Sequence, residues 1–121
     1  MKKINCITAL IGFLLTSVAH AETGIATVYQ PGSIRWGGPK ASNGEKINFN
    51  ALTVAHYRAG TAEARYGTCL QIRFGKHEIV ARIIDHGPHV KGRKLDLTPG
   101  VARALRFPGL GVVQFWKVPC A

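Results

Sequence analysis

Acidic residues are scarce. Six Asp and Glu stand against sixteen Lys and Arg in 121 residues, a formal net charge of +10. So basic a chain favours acidic partners. No βαβ rhythm is present, which argues against a doubly wound parallel sheet, and no internal repeat marks a solenoid or propeller. No linker or second domain is visible in the composition. Past the first twenty or so residues, no apolar run is long enough to span a bilayer. Cysteine is limited to three residues, and nothing matches a metal-ligand spacing, so neither a metal nor another cofactor is expected.

What is present begins with an export signal. Lys2 and Lys3 form a positive n-region, Ile4 to Val18 is mostly apolar, and Ala19-His20-Ala21 is a small-x-small cleavage site. Residues 1–21 are therefore read as a signal peptide, and residues 22–121 as one small exported domain with no stable membrane insertion. The address is periplasmic or extracellular, and a monomer is expected. Cys6 precedes the apolar core and is not placed for lipid attachment. Without Lys2 and Lys3 the net charge is still +8. Nucleic acid, the usual partner for such charge, does not fit an exported protein. Cys69 and Cys120 remain as an even pair in an oxidising compartment and are expected to be bonded.

The exported part reads as short strands. Gly24 to Tyr29 is a first strand, followed by a long irregular segment from Gln30 to Asn43 containing Trp36. Trp36 is either a sugar-stacking platform or a cap on the core edge. Ala51 to His56 is a short strand or a helical turn, and Thr61 to Arg65 has some helical character. Thr68–Phe74 and Glu78–Ile84 alternate around Gly75-Lys76, a two-residue hairpin turn. The second of these ends apolar on both faces, as a central strand does. Thr98 caps a short helix with Pro99 at its first position. Gly111 to Val118 is the last strand. This pattern predicts an all-β fold, a small closed barrel with one or two short helices.

The stretch Ala81 to His89 carries the chemistry. An apolar run leads into Asp85, His86 and a Gly-Pro stop, with His89 beyond it and Arg93 to Thr98 following closely. A carboxyl at the lip of a buried strand can have a raised pKa and act as a general acid. Asp85 fits that role best. Glu45, on a Gly-rich loop, is expected to be more solvated and either to stabilise developing positive charge or to orient substrate. His56 is expected to hydrogen-bond a carboxyl or a sugar hydroxyl. Asp96 reads first as a turn or cap acid.

Four pieces in order carry a resemblance: Ala41-Ser42-Asn43-Gly44-Glu45, Leu52-Thr53-Val54-Ala55-His56, Ile84-Asp85-His86-Gly87-Pro88 and Gly92-Arg93-Lys94-Leu95-Asp96-Leu97-Thr98. Together they resemble the rare lipoprotein A (RlpA) family, which shares its barrel with expansins and barwin-like proteins. The resemblance implies a six-stranded double-psi β-barrel with a glycan-binding groove. It implies endolytic cleavage of the MurNAc–GlcNAc bond of peptidoglycan without water, leaving a 1,6-anhydro end. An expansin-like module that grips and loosens wall polysaccharide without cutting it is the alternative. Carried over by position, Glu45, His56 and Asp85 are the catalytic candidates. Tyr29, Trp36, His86, His89, Arg93 and Asp96 are the candidate glycan-binding residues, the acid corresponding to Asp96 lining the groove in expansin-like relatives. His86 and His89 stand where the family usually has Arg and an aromatic residue.

Overall fold

The computed structural model describes residues 21–29 and 40–121. The expected signal peptide, apart from Ala21, and Trp36 lie outside the described residues. Six strands close into a barrel: β1 Glu22–Val28, β2 Thr53–His56, β3 Cys69–Phe74, β4 His77–His86, β5 Arg93–Leu97 and β6 Leu110–Val118. Their order around the barrel is β1-β5-β2-β4-β3-β6, with β1/β5 and β2/β4 parallel and the other pairs antiparallel. The two parallel pairs come from strands far apart in sequence, as the double-psi arrangement requires.

Alternation sets the two faces. In β3, Leu70 and Ile72 point inward while Gln71 and Arg73 point out. β3 and β4 meet at Gly75-Lys76, where Gly75 takes φ +58 and Phe74 pairs with His77. The barrel interior is filled by Val54, Ile83, Leu95, Leu97, Val113 and Phe115, among others. A second, smaller cluster of Tyr29, Ala41, Ile47, Ala55 and Ile84 lies outside the wall, under the 40–50 segment. β4 feeds both clusters, which explains its two apolar faces.

One helix, α1 Pro99–Leu105, is present among the described residues. Buried Thr98 caps it, accepting from the Val101 N–H at 3.3 Å and donating to the Ala51 carbonyl at 2.6 Å. The expected helical character at 61–65 is not there. That stretch folds as successive turns, with Thr61 and Ala64 donating to carbonyls three residues back and Gly60 at φ +93. Ala51–His56 resolves as a strand from Thr53, because β4 and β5 pair with it on both sides. Cys69 and Cys120 are bonded, with Cα atoms 5.3 Å apart, tying the start of β3 to the chain just past β6. Among the described residues no helix is long and apolar enough to cross a membrane.

Candidate active site

One irregularity in strand pairing shapes the site. Between β2 and β4, Val54 pairs with Ile83 but Ala55 pairs with Asp85. Ile84 is the extra residue of a bulge, and it drops into the outer cluster. A bulge of this kind re-aims the side chain that follows it. On its other side Ala55 pairs with Asp96, and Asp96 pairs with Thr27. Asp85, Ala55, Asp96 and Thr27 therefore form a row across four strands. Three adjacent strands set the two acids about 10 Å apart at Cα, with small Ala55 between them.

The two carboxyls sit in different surroundings. Asp85 Oδ2 accepts from the Tyr29 hydroxyl at 2.7 Å. Its Oδ1 accepts from the backbone N–H groups of Ser42 and His86, both at 2.9 Å, and from the Ser42 hydroxyl. Burial pushes this carboxyl up, but the hydrogen bonds together outweigh it and hold its pKa below the ordinary value. Asp96 has one such bond, from the Thr27 hydroxyl at 2.9 Å. Burial pushes Asp96 up, the Thr27 bond opposes it, the negative charge of Asp85 adds to the rise and Arg93 opposes it, with a net raised pKa. The raised pKa expected of Asp85 is thus found on Asp96, because the fold surrounds Asp85 with donors. Nor is Asp96 simply a turn or cap acid: it lies within β5 and lines a cleft of about 420 Å³ with Thr27, Pro88, Arg93 and Leu110.

Other expected residues are placed differently. Glu45 is not a free loop charge. Arg82 grips it with both terminal nitrogens, at 2.9 and 3.1 Å, and Asn43 adds a bond at 2.6 Å. These bonds hold the Glu45 carboxyl below the usual range. The pair pins the loop that carries Ser42, and the Asn43 N–H reaches the Ile84 carbonyl at 3.2 Å. Tyr29 is 8% exposed, too buried to offer its ring as a sugar platform. Its hydroxyl pKa is raised by burial and then by the Asp85 carboxylate it serves, so it stays a donor. His86 and His89 are exposed at the end of β4 with rings edge-to-face at 5.1 Å, and His86 Nε2 lies 3.1 Å from the Tyr57 carbonyl. No three His, Cys, Asp or Glu side chains among the described residues are grouped to hold a metal ion.

His56 does not join the carboxylates. It follows outward-facing Ala55, so it points to the inner side of the wall. There it is 4% exposed, stacked on Tyr57 and edge-on to Phe115. Its Nδ1 accepts from the Arg58 N–H at 2.9 Å. Burial, and then the nearby positive charges of Arg58, Lys117 and Lys94 against the opposing Glu22, lower its pKa from 6.5 to about 4. The unfolded chain therefore takes up this proton first as pH falls. Stability is full above about 6.5 and declines towards about 4, by at most about 3 kcal/mol from this one group. Urea unfolding across that range should show the decline, and His56→Gln should flatten it. An unchanged slope in the variant would contradict a buried neutral ring.

Sequence reasoning missed Ser42, Arg82 and Thr27. Ser42 lies inside a segment already singled out, but nothing local shows that its hydroxyl and N–H meet a carboxylate 43 residues away.

The fold is that of a double-psi β-barrel protein, with Asp85 and Asp96 in one row on its outer wall. The chain belongs to the lytic transglycolase family, whose model matches residues 21–115. It is 37% identical over 99 residues to the probable endolytic peptidoglycan transglycosylase RlpA of Synechocystis sp., covering 79% of this chain and 28% of that protein. It is 40% identical over 89 residues to the endolytic peptidoglycan transglycosylase RlpA of Campylobacter jejuni, covering 72% and 30%. The chain thus spans less than a third of the length of these relatives. Among solved structures, the Clavibacter michiganensis expansin superposes with a TM-score of 0.61 at 23% identity, covering 84% of this chain and 52% of that one. The Streptomyces papain inhibitor superposes equally well, TM-score 0.61, at 15% identity, covering 83% and 96%. At those identities the likeness is one of fold.

Proposed function

We propose that this protein is exported and acts on peptidoglycan as an endolytic lytic transglycosylase. The observation that carries the reading is the row of Asp85 and Asp96, two carboxyls aligned through Ala55 on one face of the barrel wall with opposite protonation biases. Relatives named as peptidoglycan transglycosylases support the substrate class.

In the reaction proposed, protonated Asp96 gives its proton to the glycosidic oxygen as the C1–O bond breaks. Ionised Asp85 faces the positive charge that develops at the anomeric carbon. The 6-hydroxyl of the same sugar then bonds to C1 and returns its proton to Asp96, which has changed from acid to base. No water is consumed, and the product carries a 1,6-anhydro end. Tyr29, Ser42 and the His86 N–H keep Asp85 ionised. Glu45 and Arg82 are positioning residues for the Ser42 loop. Arg93, beside Asp96, suits the carboxylates of a wall glycan, and Arg103 and Arg106 extend the basic lining into an adjoining cavity of about 340 Å³. His86 and His89 offer ring nitrogens to sugar hydroxyls. The protein works as a monomer on this reading.

Peptide-stripped sacculi incubated with the purified protein should release 1,6-anhydro-muramyl fragments, read by mass spectrometry. Binding to sacculi with no soluble product would replace this reading with a non-catalytic, expansin-like binding module.

A further inference from the structure

A larger cavity, about 490 Å³, opens at the end of the barrel where β1 begins and β2 and β6 end. It is lined by Glu22, His56, Glu63, Leu70, Phe115, Trp116 and Lys117. The proposed transglycosylase chemistry uses none of these, and the barrel wall separates His56 from the carboxylate row. The volume is in the range of small-molecule sites.

Its polar groups are unevenly satisfied. Glu22 has a cationic neighbour, Lys94 at 3.5 Å, and accepts from the Tyr57 hydroxyl at 2.9 Å. Glu63 has Arg58 at 4.0 Å and accepts from the Thr61 hydroxyl at 3.3 Å. The donors lack such partners. His56 accepts at Nδ1, so the neutral ring carries its proton on Nε2. That N–H makes no hydrogen bond among the described residues, although the side chain is more than nine-tenths buried. The Lys117 ammonium has no hydrogen bond or ion pair among the described residues either. His56 Nε2 is open to the cavity rather than sealed beneath it, and a ligand acceptor placed there would complete its hydrogen bonding. Leu70, Phe115 and Trp116 supply apolar wall beside the two donors.

We propose that this cavity binds a small carboxylate with a short apolar body, its oxygens shared by His56 Nε2–H and Lys117 Nζ and its apolar part against Leu70, Phe115 and Trp116. The site is independent of the glycan cleft, and its test reads binding rather than cleavage.

N-acetylalanine and its uncharged amide, N-acetylalaninamide, are suitable probes. Titrated into the purified protein and followed by NMR, the acid should give a saturable shift of the His56 ring resonances, and the amide should bind about tenfold more weakly or less. Lys117→Ala changes an exposed side chain and should keep the fold. It should weaken the acid by about tenfold and leave the amide unaffected. No saturable response to the acid at millimolar concentration, or equal binding of acid and amide unchanged by Lys117→Ala, would overturn the proposal.

Discussion

Asp96→Asn is expected to slow release of 1,6-anhydro fragments by a factor of about 100 to 10,000, the range for removing a general acid. Asp85→Asn should cost about a hundredfold or more, because a preorganised negative charge facing the developing cation is lost. The pH profile separates the two roles. Activity needs Asp85 ionised, so it falls on the acid side as pH drops through that group's lowered pKa. It needs Asp96 protonated, so it falls on the alkaline side as pH rises through that group's raised pKa. The charge of Asp85 is one cause of the Asp96 shift. Asp85→Asn should therefore move the Asp96 titration to lower pH, a change visible by carboxyl NMR without any turnover. An Asp96 titration indifferent to Asp85→Asn would break the coupling on which the assignment rests. Full activity in Asp96→Asn would return the acid role to Asp85.

Removing the disulfide by Cys69→Ala with Cys120→Ala should destabilise the domain by about 4 kcal/mol in the chain-entropy model, given a sequence separation of 51. That is a large share of the roughly 5–15 kcal/mol that holds a domain of this size folded. The melting temperature should fall on the order of 20 °C. Urea unfolding of the variant beside the oxidised parent measures the loss. A difference under about 1 kcal/mol would mean that the bond does little to restrict the unfolded chain. Position accounts for the effect: Cys69 opens β3, its register partner Val118 ends β6, and Cys120 lies two residues further on. The bond therefore secures an edge of the barrel whose two strands are otherwise held by their ladder and by Ile72 and Phe115 inside.

Much of the fold was legible because its signals are local. Alternation in β3 and β4, the Gly75-Lys76 turn, and Thr98 followed by Pro99 each depend on a few neighbouring residues, and each appears where the pattern placed it. The cysteine pairing followed from an even count in a chain read as exported. Failures occurred where local preference was weak or context intervened. Thr61 to Arg65 contains good helix formers, yet it lies between Gly60 and Gly67, both at positive φ, and closes into turns. A helical start of one turn fixes too many dihedrals for one hydrogen bond to stand without packing.

The site divides along the same line. From the sequence came the residues worth watching: Asp85 at the end of an apolar strand, Asp96 in the following segment, Glu45 on its Gly-rich loop and His56 after Ala55. Which of them work together depended on barrel closure. The bulge at Ile84 set Asp85 level with Ala55 and Asp96, while plain alternation turned His56 to the opposite side of the same wall. The protonation bias was decided there too. Tyr29 reaches Asp85 across 56 residues, Ser42 across 43, and Thr27 reaches Asp96 across 69. A carboxyl's pKa is a property of the donors, charges and solvent around it, and at Asp85 and Asp96 most of that environment is supplied by chain segments far away in sequence. The sequence by itself determined that this is a basic β-barrel with one paired set of cysteines and acids at a strand end. Only the tertiary structure decided which acid holds its proton.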